Sequence, residues 1–368
     1  MVILVTGCAG FIGWRVTECA LRGGHVVIGV DNLNDAYDTR MKEWRLKELE
    51  GKPGFTFQHE DIADRAGLDR VFTACHSTGS FDGVIHLAAR AGVRQSVVDP
   101  WIYYETNVTG TLNLLEECRR HEVDRLVMAS TSSLYGVRNP RPFREDANTD
   151  GPLSPYAASK KAAEALVYTY HHLHGLNATV LRYFTVYGPA GRPDMSVFRF
   201  IKWISEGQPV AVYGDGSQER DFTYVDDVAE GTLAALNLTG FDVINLGGDS
   251  PIRLSEMLRL VEELVGRKAS VEYGPPAPAD MPATWADIEK ARRLLGWEPK
   301  TTFEEGLRRT VDWYREHRSW ARELEVLQSS TGSDSTVRGG TADASTSQGT
   351  LGGLSAARKA GGAPWMRA

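Results

Sequence analysis

Residues 2–6 read Val-Ile-Leu-Val-Thr and lead into Gly7-Cys8-Ala9-Gly10-Phe11-Ile12-Gly13. An apolar, β-branched run halted by glycine and followed by helical periodicity predicts strand, tight turn and helix. In this reading Gly7 makes the turn, Gly10 lets the backbone approach a pyrophosphate, and Gly13 lets the helix pack close on the strand. Phe11 and Ile12 open that helix, whose free N–H groups face the phosphates, and both count with the glycines as cofactor-contacting candidates. A second strand, His25 to Val30, ends at Asp31. A carboxylate there accepts hydrogen bonds from an adenine-ribose 2′-hydroxyl and repels a 2′-phosphate, so the expected dinucleotide is NAD rather than NADP. Glycines at this spacing are common in loops; the β-α-β context and Asp31 make the signal specific.

The 368 residues, 42% of them hydrophobic, suffice for one large α/β domain and a smaller lobe. A net charge of -7 offers no support for nucleic-acid binding. No apolar run approaches the roughly 20 residues that span a bilayer. The chain enters a core strand at once, so neither a leader peptide nor a membrane partner is expected. Cys8, Cys19, Cys75 and Cys118 lack metal or disulfide spacing. They read as thiols in a reducing cytoplasm, with no metal site.

Further strands are expected at 55–58, 83–89, 126–129, 180–184 and 242–246, separated by helices at 40–50, 66–75, 101–120 and 155–172. Alternation of this kind predicts a doubly wound parallel sheet of Rossmann type. Asn32 opens the polar loop after Asp31. Asp61 stands where it can reach the adenine amino group, and Ile62 where it can cover the ring. Leu87, Ala88 and Ala89 end the fourth strand in mostly small residues that permit close approach of a ligand. His86 reads as a core histidine more readily than a catalytic one. Asn107, inside the helix 101–120, is either a bonded core group or a contact on the cofactor side. Residues 185–195 read as an irregular loop, and the stretch beyond 250 as helical, broken at 275–282. The expected division is a dinucleotide domain over 1–184, to which 222–249 returns, and a substrate lobe from 185–221 and 250–320. From 329 to 368 the chain is rich in Gly, Ser, Thr and Ala, and disorder is expected.

The fifth strand delivers a hydroxyl cluster, Ser130-Thr131-Ser132-Ser133, to the carboxyl edge of the sheet. Pro155 suits a first helical turn capped by Ser154. Tyr156 and Lys160 then share one helical face at i,i+4. A tyrosine of ordinary pKa near 10 is a poor base at neutral pH; a neighbouring ammonium and an oxidised nicotinamide favour its phenolate. Tyr156 is then the candidate base for a substrate hydroxyl, with Thr131 holding the same oxygen.

These motifs, with Arg220-Asp221-Phe222-Thr223-Tyr224-Val225-Asp226-Asp227, resemble the extended short-chain dehydrogenase/reductase family, and within it the NAD-dependent sugar-nucleotide epimerases. The resemblance covers roughly residues 1 to 318. DNLNDAYD at 31–38, AGVRQS at 91–96, STSSLYG at 130–136 and TVYGPAGRPDM at 185–195 are most similar to the UDP-glucuronate 4-epimerases. It implies tightly held NAD, with Tyr183 among its contacts, and a homodimer built on helices 101–120 and 155–172. It also implies a UDP-sugar substrate whose pyrophosphate meets Arg220, with Arg94 supporting the sugar-nucleotide loop. Oxidation at C4 of a glucuronate gives a β-keto acid prone to lose carbon dioxide. An epimerase must restrain that carboxylate: Arg192 has the planar donor pair for it, and Ser132, Ser133 and Thr185 can add hydroxyls. Related decarboxylases carry glutamate at the position of Ser133, and 4,6-dehydratases carry Asp-Glu at 132–133.

The chain departs from the pattern at 276–280, where an arginine common in neutral-sugar enzymes is missing near Ala277, although Asp280 remains to bind a ribose hydroxyl. The expected reaction is reversible 4-epimerisation of UDP-glucuronate to UDP-galacturonate through a 4-keto intermediate. The rivals are a UDP-glucose/UDP-galactose 4-epimerase and a non-enzymatic NAD-binding regulator.

Overall fold

The computed structural model describes residues 1–76, 80–276 and 280–326; the tail from 329 and the Ala277 position lie outside the described residues. β1 (Val2–Thr6), β2 (Val26–Asp31), β3 (Phe55–His59), β4 (Gly83–His86), β5 (Arg125–Thr131) and β6 (Asn177–Tyr183) run parallel in one sheet. β7 (Thr185–Tyr187), β8 (Val210–Tyr213) and β9 (Glu219–Tyr224) leave it, and β10 (Phe241–Leu246) returns to pair with β6. β11 (Pro251–Arg253) and β12 (Val271–Gly274) complete the set.

The main sheet has the order β10-β6-β5-β4-β1-β2-β3. The chain therefore builds outward from β1 in one direction and from β4 in the other. The carboxyl ends of β1 and β4 flank the crevice where open parallel sheets bind ligands. Strand residues alternate between two cores. Ile3, Val5, Ile85 and Val127 pack with helices 11–22 and 225–235. Leu4, Val84, Leu126 and Met128 pack with helices 65–76, 110–120 and 155–174. Covering both faces is why these strands read as continuous apolar runs. The architecture is the doubly wound parallel sheet of Rossmann type expected from the alternation, with a smaller lobe in which β9 pairs with β7 and β11, and β8 with β12. Among the described residues no helix is long and apolar enough to cross a membrane.

The structure differs from the sequence reading in detail. Residues 185–187 of the expected loop form β7, because β9 offers it a parallel partner. β11 and β12 interrupt the stretch expected to be helical, each paired with a strand far away in sequence. β4 stops at His86, leaving Leu87–Ala89 outside the ladder. Residues 101–120 are helical throughout, but Glu105–Thr109 form a π-turn, a widening frequent at functional sites.

His86 is a satisfied core histidine. Ala88 N–H donates to Thr6 Oγ1, and Thr6 Oγ1 lies 2.8 Å from His86 Nδ1. His86 Nε2 lies 3.0 Å from Thr111 Oγ1, which donates onward to the Asn107 carbonyl. The chain closes when Nε2 carries the proton and the ring is neutral. Burial, helped by the Lys160 charge, pushes its pKa down to about 3. Because the unfolded chain takes up this proton first, stability is held above pH 6.5 and declines as pH falls toward 3. Between pH 7 and 5 this group is expected to remove about 2 kcal/mol. Urea titrations of wild type and His86→Gln at both pH values check this: the variant should lose correspondingly less.

Candidate active site

Gly7 adopts φ +75, and a Cβ there would lie 2.7 Å from Ala88 N, so the turn and the segment after β4 touch through backbone alone. A Cβ on Gly13 would meet the Gly7 carbonyl at 2.0 Å. Gly10 caps helix 11–22 without a side-chain bond, leaving the first N–H groups for a ligand. The Asp31 carboxylate accepts from Ala9 N–H at 3.1 Å and from Leu33 N–H at 2.9 Å. Asn32 Nδ2 donates to Asp61 at 2.7 Å, and Ala63 N–H donates to the other Asp61 oxygen. Phe11 is buried and Ile12 half-buried. A glycine turn set close against the segment after β4, an uncapped helix end and a fixed carboxylate at the end of β2 fit a dinucleotide.

Three candidates have partners within the protein. Ile62 is buried and packs on Gly110, so it is wall rather than open face. Asn107 uses both amide hydrogens on the Arg90 carbonyl and Ser159 Oγ, and accepts from Arg90 N–H; of its two readings this is the bonded core group. The Tyr183 hydroxyl pairs with Thr232 on helix 225–235. Sequence reasoning missed Lys42, a buried ammonium that donates to Asn34 Oδ1 and lies 3.7 Å from Asp31. In sequence it lies in a charged helical run, 40–50, where nothing sets it apart.

Ser154 caps helix 155–174 by accepting from Ala157 N–H, with Pro155 in the first turn. This fixes the start of the helix, and with it the direction of Tyr156. The Tyr156 hydroxyl is hydrogen-bonded to Thr131, at the end of β5. Thr131 also accepts from Ser133 N–H and donates to Ser133 Oγ at 3.2 Å. Burial raises the Tyr156 phenol pKa, outweighing the Thr131 hydrogen bond and the Arg192 charge that pull it down. Lys160 is buried, and its pKa is lowered to about 8 by burial, opposed by Glu164. Glu164 is fixed by Ser130 and by two bonds from Arg182.

Arg192 is gripped by Asp194 through Nε at 3.0 Å and one terminal nitrogen at 2.6 Å. The same terminal nitrogen reaches the Ala91 carbonyl. Among the described residues its other terminal nitrogen makes no hydrogen bond, so that edge is open to an anion. Its charge acts on Tyr156, the candidate base. Ser132 is buried next to Ser133, and Thr185 begins β7.

A second cationic group gathers where helix 93–98 meets the smaller lobe. Arg94 pairs with Asp280 at 2.6 Å and lies over the Tyr213 ring. Arg220 is in reach of the Asp280 and Arg94 charges, and Arg199 of those of Arg94, Asp194 and Asp280. Burial lowers both guanidinium pKa values, and Arg199 Nε is buried with no hydrogen-bond partner. Buried, partly unpaired cations are expensive unless an anion completes them; a diphosphate has the matching charge. Arg199 was not singled out from the sequence, where it looks like any helix arginine. Elsewhere, Asp69, Glu117 and His121 converge, and Arg120 ion-pairs with both carboxylates.

Comparison with known proteins gives these features a lineage. Residues 3–247 match the NAD dependent epimerase/dehydratase family. The UDP-glucuronate 4-epimerase of Thermodesulfobacterium geofontis is 55% identical over 324 residues, 88% of this chain and 99% of that protein. The crystal structure of UDP-glucuronic acid 4-epimerase from Bacillus cereus, with UDP-glucuronic acid and NAD, superposes with a TM-score of 0.80 at 36% identity. It covers 86% of this chain and all of that one. The UDP-glucose 4-epimerase of Thermotoga maritima, with UDP-glucose, also gives 0.80, at 34% identity over the same shares. The chain belongs to the NAD-dependent epimerase/dehydratase family.

Proposed function

We propose that this protein is an NAD-dependent nucleotide-sugar 4-epimerase that interconverts UDP-glucuronate and UDP-galacturonate. The observation that carries the choice of sugar is half-buried Arg192, whose charge acts on Tyr156 and whose second terminal nitrogen makes no hydrogen bond among the described residues, together with Ser132-Ser133 where decarboxylating and dehydrating relatives carry acids. The 55% identity to a UDP-glucuronate 4-epimerase supports the same reading.

Bound NAD supplies the hydride acceptor. The glycine turn, Asp31, Asn32 and Asp61 hold it, with Leu87–Ala89 along the crevice. Tyr156 takes the C4 hydroxyl proton while Thr131 orients that oxygen. Lys160 and Arg192 keep the local field positive, which favours the phenolate. Arg192, Ser132, Ser133 and Thr185 hold the C5 carboxylate, so the 4-keto sugar keeps its carbon dioxide. Arg94, Arg199 and Arg220 take the diphosphate, and Asp280 is a ribose-hydroxyl candidate. Hydride return to the opposite sugar face, with the proton given back by Tyr156, yields the epimer.

The test is incubation of purified protein with UDP-glucuronate and no added cofactor, followed by NMR. UDP-galacturonate alone is the expected product. Carbon dioxide with a pentose would move the assignment to a decarboxylase. Turnover of UDP-glucose with none of the acid would favour the neutral-sugar epimerase, a rival kept in view by the Thermotoga maritima likeness. Arg199→Ala and Arg220→Ala are each expected to raise KM about ten- to a hundredfold, with kcat changed less; steady-state kinetics checks this.

We assign the dinucleotide domain to 1–184 with 222–249, the substrate lobe to 185–221 and 250–320, and the protein to the cytoplasm. We assign a homodimer formed through helices 101–120 and 155–174. Val98 and Trp101 are 87% and 82% exposed, and Tyr104, Leu112 and Tyr168 are also exposed on this surface. Light scattering is expected to give twice the chain mass; a monomer would contradict it.

A further inference from the structure

Arg45 has no accessible surface and no carboxylate within ion-pairing distance among the described residues. Its fork divides between three segments. Nε and one terminal nitrogen donate to the Ala190 carbonyl, at 3.1 and 2.8 Å. The other terminal nitrogen donates to the Ala9 carbonyl at 3.2 Å and to Tyr37 Oη at 2.7 Å. Ala9 belongs to the glycine turn, Tyr37 to the loop after β2, and Ala190 to the loop that carries Arg192. The guanidinium also lies over the Phe11 and Tyr37 rings. The Tyr37 ring carries Arg192 too, at 5.2 Å.

A buried cation with no carboxylate in ion-pair contact is costly, so a guanidinium in this position is not explained by packing alone. What the planar fork offers, and an ammonium does not, is three acceptors tied in one fixed plane. Ala190 is itself held at φ +52, a backbone state that a non-glycine residue keeps only when its surroundings enforce it. The carbonyl pinned there is two residues from Arg192.

We infer that Arg45 is a positioning residue that fixes the Arg192 loop to the dinucleotide turn, so that the carboxylate-holding guanidinium, held within its loop by Asp194, is also set relative to the cofactor. This rests on the carboxylate role proposed for Arg192. It adds that the fate of the 4-keto sugar depends on a residue that never touches it.

The test uses the purified NAD-loaded protein and two variants, Arg45→Lys and Tyr37→Phe. Arg45→Lys keeps the charge but loses the fork; Tyr37→Phe loses a single acceptor and keeps the ring. Amide hydrogen exchange of residues 188–195 is compared with that of β5. In Arg45→Lys the loop is expected to exchange about tenfold faster or more while β5 stays protected. In Tyr37→Phe the change should be smaller. With UDP-glucuronate, Arg45→Lys should raise the ratio of carbon dioxide to epimer about ten- to a hundredfold, since displacement near 1 Å suffices for such an effect.

Unchanged loop exchange in Arg45→Lys overturns the inference. So does exchange that rises equally in the loop and β5, which is the mark of a purely structural arginine. A changed loop with an unchanged product ratio overturns its catalytic half. Failure of the wild type to turn over UDP-glucuronate would sink the proposed substrate instead, and the exchange measurement would still decide the tie.

Discussion

Tyr156→Phe is expected to lower kcat for UDP-glucuronate by about 10²–10⁴-fold, the usual worth of a positioned acid-base group. The loss should fall on kcat rather than KM, because the ring keeps its place at the start of a helix fixed by Ser154 and Pro155. The protein should still purify with NAD, since the glycine turn and Asp31 are untouched. Stopped turnovers and a cofactor assay on the same preparation check both halves. A variant within tenfold of wild type would remove Tyr156 from the mechanism and leave Thr131, which shares its hydrogen bond, as the group to examine.

Arg192→Ala should have the second large effect, and it should depend on the sugar. Removing one partner of a buried charged contact costs about 2–5 kcal/mol. With UDP-glucuronate that loss is expected in full, with carbon dioxide appearing as the freed carboxylate leaves. With UDP-glucose the carboxylate contact does not exist, and only the influence of Arg192 on Tyr156 is lost, so the decrease should be several times smaller. Equal losses on both sugars would reduce Arg192 to an electrostatic partner of Tyr156. Asp194 would be stranded in the variant, because it is buried and its carboxylate is held low by Arg192. Arg192→Ala with Asp194→Asn therefore separates the catalytic loss from the cost of that orphaned charge.

Much of the molecule was legible along the chain. The glycine turn, the seven sheet strands, the Ser154 cap and the Tyr156-Lys160 face follow from local rules of periodicity, turn chemistry and capping, and each acts within a few residues. These fix the doubly wound sheet and the end of it that carries the candidate site. They do not say what Asn107 holds, because its partners Arg90 and Ser159 come from other elements. Nor do they identify β11 and β12, whose strand partners are distant in sequence.

The arginines mark the boundary most clearly. Arg40, Arg45, Arg94, Arg199 and Arg220 are each a cation whose partners the neighbouring residues in sequence do not name. The fold leaves Arg40 exposed beside Asp38, buries Arg45 among carbonyls, and gathers the other three near Asp280. Local sequence determined where the strands, the turns and Tyr156, the proposed base, stand, because short-range hydrogen bonding and side-chain period decide those. Only the tertiary structure decided which charges are buried, paired or left open to a ligand, because desolvation and ion pairing depend on neighbours that the chain brings together last.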